Sequence, residues 1–427
     1  MICVSTRGRA PEVSLKEAVL AGIAPDGGLY VPAKLEPKPE SWWSAQRGKS
    51  FQDLAIAIAT VLAGDEIDQA AIVSIVREAL NFPVRVVELE RGLGVVELFH
   101  GPTFAFKDFG ARMLAGLMKR IEAPAEGLTI LVATSGDTGS AVAHAFFGVP
   151  GVRVVVLYPD GQVSAVQEAQ FTTLGGNISA VAVQGTFDDC QRIAKEAFAD
   201  RSLQARVRLT SANSISLGRL LPQVFYHAYA ALQYKVETPL TVSVPSGNFG
   251  NLVAGVLACK LGAPVNRFSA PTTINDTVPR YFATGRVEPR ESVRTAANAM
   301  DVGNPSNLER LQWLFDGDLD RMKRTITTKA FTDDDVRRAI GDLYKKYGYV
   351  ADPHSAIGYL GTQGARGAQG AHRALFLATA HPAKFREVVE PVIGKPVPLP
   401  EPLAATIARK KVVERISPRL EELSKLL

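Results

Sequence analysis

Lys107 is the residue whose setting in this sequence most clearly suggests covalent chemistry. It lies in the run His100-Gly-Pro-Thr-Phe-Ala-Phe-Lys-Asp-Phe109, among three phenylalanines. An apolar setting disfavours the charged ammonium, lowers the pKa of the lysine and makes the amine a nucleophile that can form a Schiff base. The ordinary alternative is a lysine at a helix start that extends towards solvent and pairs with Asp108. The residues alone leave both interpretations open.

Two short glycine-containing loops have the composition of anion-binding turns. Each lies between a strand-like run and a helix-like run, and the two are Thr134-Ser-Gly-Asp-Thr-Gly-Ser140 and Ser246-Gly-Asn-Phe-Gly-Asn251. Backbone N–H groups at a helix start point at an anion, and the helix dipole favours negative charge there. Tight turns or capped helix starts are the alternative interpretations. Together with a Schiff-base lysine, two such loops suggest pyridoxal phosphate and an amino-acid substrate.

The elements that must position these loops are short apolar runs that alternate with amphipathic runs from about residue 128 onwards. Strands are predicted at Leu128–Thr134, Val152–Leu157, Ile178–Val183, Leu240–Val244 and Ala374–Thr379. Strand–loop–helix units of this length predict an α/β fold with two open, mostly parallel sheets and helices on both faces. The first 90 residues contain helix-like runs instead, which predict a helical N-terminal cap.

The length of the chain allows two or three domains. We predict an N-terminal helical cap at 1–90, a smaller α/β domain with the lysine at 91–235, a larger α/β domain at 236–400 and a helical tail at 401–427. Within the smaller domain, Thr186-Phe-Asp-Asp189 predicts a capping box at a helix start. The run Leu217–Leu232 predicts one long helix.

The composition is that of an ordinary globular protein. Of 427 residues, 46% are hydrophobic and 21% charged, and 48 Lys+Arg against 43 Asp+Glu give a net charge of +5. Basic residues rarely cluster, so nucleic-acid binding is disfavoured, and the small positive excess suits anionic small molecules. The three cysteines are far apart and belong to no Cys/His cluster, so we expect a reducing compartment and no metal site.

A membrane or secreted location is disfavoured by the same sequence. No run approaches the ~18 consecutive apolar residues of a membrane helix. The N-terminal run Met1–Ser14 carries Arg7 before any apolar stretch could develop, which is untypical of a signal peptide. We therefore expect a cytoplasmic protein without a membrane partner.

Motifs spread along most of the chain resemble the threonine synthase family, which consists of pyridoxal-phosphate enzymes of the tryptophan-synthase-β-like fold group. They are Ser5-Thr-Arg-Gly8, Ala24-Pro-Asp-Gly-Gly-Leu-Tyr-Val-Pro32, Phe99-His-Gly-Pro-Thr103, Lys107-Asp-Phe-Gly-Ala-Arg112, Ala133-Thr-Ser-Gly-Asp-Thr-Gly139, Ser246-Gly-Asn-Phe-Gly-Asn251, Ala299-Met-Asp-Val-Gly303, Pro305-Ser-Asn307 and Ala380-His-Pro-Ala-Lys-Phe385. Matches of this length in this order are highly specific. The resemblance implies a fold-type-II pyridoxal-phosphate enzyme.

The resemblance also implies roles for individual residues. Lys107 would carry pyridoxal 5′-phosphate as a Schiff base and act as the general base, and Thr379 would face the pyridine nitrogen. The cofactor phosphate would be held by the loop of Ser246, Gly247, Asn248, Phe249, Gly250 and Asn251. The substrate carboxylate would be held by Ser135, Gly136, Asp137 and Thr138. Candidates to bind the substrate phosphate are Arg112, Lys384 and the Asn304–Asn307 loop, with His354 and His381 as further donors.

The implied reaction is the conversion of O-phospho-L-homoserine and water to L-threonine and phosphate. The alternative is a related phospho-lyase that releases 2-oxobutyrate and ammonia from a similar site. Threonine or serine dehydratase is a third choice, but those proteins do not carry the N-terminal segment with Ser5-Thr-Arg-Gly8 and Pro25-Asp-Gly-Gly-Leu-Tyr30. The hypothesis from another class is a protein that binds the cofactor or an amino acid without turnover. Monomer and homodimer are both left open.

Two residues depart from the expected pattern. Asp137, as in this branch of threonine synthases, takes a position where the wider fold group commonly has an asparagine that touches the phenolic oxygen of the cofactor. Its carboxyl must therefore be protonated, face a cation or point elsewhere. Ser216 stands where the family usually has asparagine, so an amide contact is lost there, whereas Arg219 fits the family pattern.

Overall fold

The computed structural model describes residues 1–121, 127–233, 239–363 and 372–427. The predicted domain boundary between residues 235 and 236 lies outside the described residues. The strands are β1 (Ile2–Ser5), β2 (Val13–Ser14), β3 (Tyr30–Pro32), β4 (Arg85–Glu90), β5 (Leu93–Glu97), β6 (Leu128–Ala133), β7 (Val152–Pro159), β8 (Ile178–Val183), β9 (Leu209–Ser211), β10 (Leu240–Ser243), β11 (Arg267–Thr272), β12 (Ile326–Ala330), β13 (Arg373–Ala378) and β14 (Glu414–Ile416).

Helices connect most of these strands. They are α1 (Leu15–Ala21), α2 (Glu40–Ser44), α3 (Phe51–Ala63), α4 (Gln69–Ala79), α5 (Lys107–Ile121), α6 (Asp137–Phe146), α7 (Ala165–Thr172), α8 (Phe187–Ala199), α9 (Arg201–Gln204), α10 (Leu217–Leu220), α11 (Gln223–Leu232), α12 (Gly250–Lys260), α13 (Thr277–Thr284), α14 (Leu308–Leu314), α15 (Leu319–Thr325), α16 (Asp333–Tyr347), α17 (Pro353–Leu360), α18 (Arg386–Ile393), α19 (Glu401–Ile407) and α20 (Leu420–Ser424). In the described part of the chain, none of them combines the length and the apolar character needed to cross a membrane.

The five-stranded sheet has the order β14-β8-β7-β6-β9, and all its strand pairs are parallel. Its three central strands, β6, β7 and β8, are mostly apolar because helices cover both faces. In β7, Val154 and Val156 pack into the same apolar cluster as α6, whereas Val155 and Leu157 pack into the cluster that contains the apolar side of α8. Burial on both faces explains why the sequence shows continuous apolar runs rather than strict alternation.

The six-stranded sheet has the order β12-β11-β10-β13-β5-β4. It is parallel except at one edge, where β4 pairs antiparallel with β5. Its two faces are also covered, because Leu375 and Leu377 of β13 pack into one cluster and Phe376 and Ala378 into another. These two mostly parallel sheets with helices on both faces confirm the predicted fold class.

The N-terminal segment contains helices that pack on the body of the protein, together with a small sheet that the sequence did not predict. Helix α4 contacts α5, and α3 contacts α11. The additional sheet is antiparallel, with the order β2-β1-β3. Strand β1 is four residues long, β2 two and β3 three. Strands this short contain too few residues for an alternating pattern to be visible.

Three local predictions can be compared with the structure. The capping box at Thr186 is confirmed, because Thr186 N–H donates to Asp189 Oδ2 at 2.9 Å and Asp189 N–H donates to Thr186 Oγ1 at 3.2 Å. The single helix predicted at Leu217–Leu232 is wrong, since α10 ends before Pro222 and α11 begins after it. Proline lacks the N–H that a continuous helix needs. The tail beyond residue 400 also contains β14, which pairs parallel with β8.

Candidate active site

A cleft opens between the carboxyl ends of the parallel strands, where the loops after β5, β6, β9, β10 and β13 meet. Its empty volume, which includes the open mouth, is about 640 Å³. In open α/β sheets this edge is the usual position of ligand sites. The charged and titratable side chains that line the cleft are Lys107, Asp137, Arg219 and His354.

The segment that carries Lys107 is held by two sets of contacts. Thr103 donates to the carboxylate of Asp108 through its backbone N–H (2.8 Å) and through its hydroxyl (2.7 Å). Phe106 N–H donates to the carbonyl of Thr379 at 2.8 Å, so the segment is fixed against the end of β13. Helix α5 then begins at Lys107 itself. Because Asp108 is bonded to Thr103, it does not form the ion pair with Lys107 that the alternative interpretation required.

The amine of Lys107 lies in an apolar setting, as predicted. Its Nζ atom is 4.8 Å from the centre of the Phe106 ring. Burial, together with the positive charge of Arg219, lowers the pKa of Lys107 to about 8, while the negative charge of Asp137 acts in the opposite direction. A lysine with such a pKa has a substantial neutral fraction near neutral pH and is suited to form a Schiff base.

The loop between β10 and α12 has the geometry of a phosphate-binding turn. Phe249 has a φ of 60°, in the left-handed region, and α12 begins at the next residue. A Cβ atom on Gly247 would lie 2.6 Å from the Cα atom of Met300, so a larger residue does not fit there. Among the described residues, none accepts a hydrogen bond from the backbone N–H groups of residues 247–250. These groups converge at the start of an eleven-residue helix, where an anion is favoured.

The side chains of this loop are used to fix its shape. Ser246 donates its hydroxyl to the carbonyl of Val244 at 2.7 Å and its N–H to Pro271. Asn248 donates to Ser214 Oγ at 2.6 Å and accepts from another backbone N–H. Asn251 Oδ1 accepts from Tyr226 Oη at 2.8 Å. An anion at this loop would therefore be bound mainly by backbone amides, which is what a cofactor phosphate requires.

The loop between β6 and α6 is the second predicted anion site. Gly136 has a φ of 133°, and a Cβ atom there would lie 2.5 Å from the side chain of Gln167. The N–H groups of Gly136 and Gly139 donate to Thr134 Oγ1 at 2.9 and 2.8 Å. In the described part of the chain, the N–H groups of residues 135, 137 and 138 have no acceptor, and Ser135 and Thr138 are half-buried. Asp137 lines the cleft directly.

The carboxylate of Asp137 faces a cation, which is one of the three arrangements that its position allowed. Lys384 Nζ lies 2.6 Å from Asp137 Oδ1, and Gln167 Nε2 donates to the same oxygen at 3.0 Å. Burial raises the pKa of Asp137, but the charge of Lys384 is the largest of several opposing influences that together hold it below its usual value. The side chain is therefore ionised at neutral pH.

Two of the predicted phosphate ligands have other partners. Lys384 Nζ donates to the carbonyl of Thr103 at 2.9 Å, in addition to its ion pair with Asp137. Arg112 donates from Nε to the carbonyl of Ala79 at 2.6 Å and from a terminal nitrogen to Glu78, at the end of α4. Arg112 does not line the cleft, which argues against the predicted contact with substrate.

Arg219 is a functional candidate that the sequence did not single out beyond its fit to the family pattern. It is 2% exposed and lines the cleft. One terminal nitrogen donates to the carbonyl of Ala212 at 2.6 Å, whereas Nε has no partner among the described residues. Burial lowers its pKa to about 10, so it is still charged at neutral pH. A buried cation for which the described residues supply no carboxylate partner favours the binding of an anion in the cleft.

The two histidines that were predicted as further donors to the substrate phosphate differ in position. His354 lines the cleft, its Nδ1–H donates to Asp352 Oδ2 at 2.6 Å, and its Nε2 accepts from the N–H of Ala299 at 3.2 Å. His381 Nδ1 accepts from the N–H of Ala383 at 3.2 Å, and burial lowers its pKa to about 4. Both ring systems therefore have internal partners. Ser216 stands where the family usually has asparagine, and its hydroxyl has no partner among the described residues.

These residues fit pyridoxal phosphate. Lys107 supplies an amine that is neutral in part, the unpartnered amides after β10 supply a phosphate site, and Thr379 supplies a hydroxyl residue at the end of β13. The glycines at these turns allow the close approach that a bound group needs, because side chains would collide with neighbouring atoms.

Comparisons with known proteins agree with this chemistry. The family model described as "Pyridoxal-phosphate dependent enzyme" matches residues 85–380, "Threonine synthase N terminus" matches 3–80, and "Threonine synthase, C-terminal" matches 355–427. Threonine synthase from Escherichia coli (strain K12) is 45% identical over 397 residues, which cover 92% of this chain and 91% of that protein.

Solved structures show the same similarity over the whole chain. The crystal structure of threonine synthase from Escherichia coli has a TM-score of 0.93 at 41% identity and covers 100% of this chain and 99% of that one. A threonine synthase from Brucella melitensis with bound pyridoxal phosphate has a TM-score of 0.93 at 35% identity and covers 100% and 98%. The chain therefore belongs to the threonine synthase family of pyridoxal-phosphate-dependent enzymes.

Proposed function

We propose that the protein converts O-phospho-L-homoserine and water to L-threonine and phosphate, with pyridoxal phosphate bound at Lys107. The observation that carries the proposal is the buried amine of Lys107 in a cleft between two loops with unpartnered backbone amides. The family to which the chain belongs supports the same reaction. The cofactor, when bound, supplies an electron-withdrawing ring that makes the protons at Cα and Cβ of an amino acid acidic.

The residues around Lys107 would hold the cofactor at three points. Lys107 Nζ would bind it covalently, the free backbone amides of residues 247–250 would bind its phosphate, and Thr379 would be the hydroxyl residue for its ring nitrogen. Support comes from the position of all three on the wall of one cleft and from the bond between Phe106 N–H and Thr379 O. A neutral hydroxyl at Thr379, in place of a carboxylate, would leave the ring nitrogen largely unprotonated.

Substrate binding is assigned to the loop between β6 and α6 and to Arg219. The free amides of residues 135, 137 and 138 would bind the carboxylate of the substrate, and Arg219 would bind its phosphate. The position of Arg219 on the cleft wall and its lack of a carboxylate partner among the described residues support this assignment. Arg112 is left out because its guanidinium is bonded to the end of α4. Lys384 is left out because its ammonium is paired with Asp137.

Lys107 would move the protons in the reaction. Its neutral amine would take the proton from Cα of the substrate and pass it to the conjugated system that the bound cofactor would supply. Neutral again, the amine would take a proton from Cβ, which allows phosphate to leave from Cγ. After Cγ is protonated, water adds at Cβ and Lys107 returns a proton to Cα.

The alternative product, 2-oxobutyrate, is not favoured by the comparisons, because the similar proteins over the whole chain are threonine synthases. The expected location, partners and oligomeric state of the protein belong to the same proposal. The protein would act in the cytoplasm on a small-molecule substrate, as a monomer or homodimer, without a nucleic-acid partner. Its small net charge of +5 and the scattered basic residues support the last point.

The test is to incubate the cofactor-loaded protein with O-phospho-L-homoserine and to measure phosphate, threonine and 2-oxobutyrate together. Threonine equal to phosphate supports the proposal, whereas phosphate matched by 2-oxobutyrate would replace it with the alternative. Borohydride reduction followed by peptide mass spectrometry should place the cofactor on Lys107. In Lys107→Ala, both the trapped adduct and turnover should be lost, and an adduct retained in that variant would refute the assignment of the lysine.

A further inference from the structure

Arg310 is a buried cation that the reaction proposed above does not use. It lies on α14, is 0% exposed and does not line the cleft. The hydrogen bonds that described residues accept from it all end on backbone carbonyl or side-chain amide oxygens, and none ends on a carboxylate. Burying a charge costs free energy unless its donors are satisfied. The partners of Arg310 therefore show which parts of the chain this cation holds together.

The guanidinium of Arg310 joins three segments of the chain. Nε and one terminal nitrogen donate to the carbonyl of Tyr30, on β3, at 3.0 and 2.9 Å. The same terminal nitrogen donates to the carbonyl of Ile215, before α10, at 2.7 Å. The other terminal nitrogen donates to Asn307 Oδ1, before α14, at 2.8 Å. Hydrogen bonds from a charged donor are stronger than those between neutral groups, so one side chain fixes the three segments relative to one another.

Two of these segments hold the loop between β10 and α12, the phosphate loop. Its residue Asn248 donates from Nδ2 to Ser214 Oγ at 2.6 Å and accepts at Oδ1 from the N–H of Ser306 at 2.6 Å. Ser214 and Ser306 each directly precede, in the chain, a residue that accepts a hydrogen bond from Arg310. A shift of either segment would therefore move Asn248 and, with it, the amides of residues 247–250.

The Asn304–Asn307 loop was predicted from the sequence to bind the substrate phosphate. None of its residues lines the cleft, which argues against that contact. Asn307 is 0% exposed, and its Oδ1 accepts from Arg310. A Cβ atom on Gly250 would lie 3.3 Å from Asn307 Nδ2, so this loop packs against the first residue of α12. Its contacts therefore support the phosphate loop from outside the open cleft.

The N-terminal motifs at residues 5–8 and 24–32 are attached to the same helix. Thr6 donates its hydroxyl to Glu309 Oε1 at 2.7 Å, and Arg7 donates from Nε to the same oxygen at 3.2 Å. The second motif contains β3, which pairs with β1 of the first motif and accepts from Arg310. The two motifs therefore hold α14 at two successive residues.

We propose that Arg310 is a positioning residue for the cofactor phosphate. It fixes the two segments that bind Asn248 and so keeps the free amides of residues 247–250 directed at the phosphate, with the N-terminal motifs as its anchor. This inference rests on the proposed function, because it assumes that the loop binds the phosphate of pyridoxal phosphate. Arg310 itself touches neither cofactor nor substrate.

The experiment compares the affinities of the full-length protein for pyridoxal 5′-phosphate and for pyridoxal, which has the same aldehyde but no phosphate. Each compound is titrated, and the adduct on Lys107 is trapped with borohydride and quantified by mass spectrometry, so that weak binding is also measured. In Arg310→Met the ratio of the two affinities should fall by about tenfold or more, because only the phosphorylated compound uses the oriented amides. Arg310→Lys keeps the charge without the planar fork and should give an intermediate ratio.

The matched control is Arg112→Met. Arg112 also donates from its guanidinium to two backbone carbonyls of the N-terminal segment, at the end of α4. The ratio of affinities should be unchanged in this variant. If Arg310→Met weakens the binding of both compounds equally, or of neither, then Arg310 only stabilises the fold and the proposal is overturned.

Where Arg310→Met does not fold, Asn307→Ala gives the same test with a smaller change. It removes the oxygen that Arg310 binds before α14 and leaves the other partners of the guanidinium in place. The ratio should again fall, and an unchanged ratio would overturn the proposal. Absence of any trapped adduct on Lys107 with pyridoxal 5′-phosphate in the unmodified protein would instead refute the proposed function, and this inference with it.

Discussion

Lys384 Nζ lies 2.6 Å from Asp137 Oδ1, and the two side chains are 0% and 4% exposed. Lys384 is in the turn that follows β13 of the six-stranded sheet, whereas Asp137 begins the helix after β6 of the five-stranded sheet. The ion pair therefore joins the two sheets of the protein at the wall of the cleft. It also explains how a buried aspartate is accommodated at a position where the wider fold group commonly has an uncharged asparagine.

The first prediction concerns the contribution of this pair to stability. Lys384→Met should lower the free energy of unfolding by about 3–5 kcal/mol, because it leaves an unpaired carboxylate in the interior. Combining it with Asp137→Asn should recover most of that loss, since neither charge then remains. Urea unfolding of the single and double variants measures both values. Equal destabilisation in the single and double variants would contradict the prediction.

The second prediction is the pH dependence of turnover. The pKa of Lys107 is lowered to about 8, and the amine must be neutral to accept a proton from the substrate. Turnover should therefore be low where the amine is protonated and should rise as the pH increases through about 8. The measurement is kcat between about pH 6 and 10, because kcat reports groups in the substrate complex. A value of kcat that falls over the same range would show that Lys107 does not act as the base.

The third prediction concerns the close approach at Gly247. In Gly247→Ala, the new Cβ would lie 2.6 Å from Met300 Cα and 2.9 Å from its carbonyl oxygen, so the phosphate loop must shift. The affinity for pyridoxal phosphate should fall by about tenfold or more, because the backbone amides lose their common orientation. Titration of the absorbance change on cofactor binding measures this affinity.

A matched control for Gly247→Ala is Gly341→Ala, in the middle of α16. There the new Cβ would lie 3.6 Å from Val392 Cγ1, which is an ordinary van der Waals contact. The cofactor affinity should be unchanged in this variant, and the helix should be slightly more stable because alanine replaces glycine in a helix interior. Equal cofactor affinities in the two variants would show that the approach to Met300 does not determine the shape of the loop.

The fourth prediction separates Arg219 from Arg112. Arg219→Met should raise KM for O-phospho-L-homoserine by about 10–100-fold, which corresponds to the loss of charged hydrogen bonds to a phosphate. Arg219→Lys keeps the charge and should recover part of that loss. Arg112→Met should leave KM unchanged, because its guanidinium is bonded to the carbonyls at the end of α4. A rise in KM for Arg112→Met but not for Arg219→Met would favour the arginine expected from the sequence.

Local signals in the sequence were sufficient for the overall architecture. The apolar runs of β6, β7, β8, β10 and β13 were visible because burial on both faces makes every residue of a strand apolar. Short strands such as β2 and β14 were not visible, since two or three residues carry no recognisable period. Pro222 is visible in the sequence as a possible helix break, but the apolar residues on both sides of it favoured the prediction of one continuous helix.

The sequence by itself also predicted which loops would carry the chemistry. An amine among phenylalanines and glycine-containing turns at helix starts are properties of neighbouring residues, so they can be read without the fold. The partners of the charged side chains were decided only by the tertiary structure. Lys384 meets Asp137, Arg112 bonds to α4, and Arg219 is left in the cleft without a carboxylate partner among the described residues. Each of these outcomes depends on which segments meet at the ends of two sheets, and a charge in a sequence does not show which opposite charge will be buried beside it.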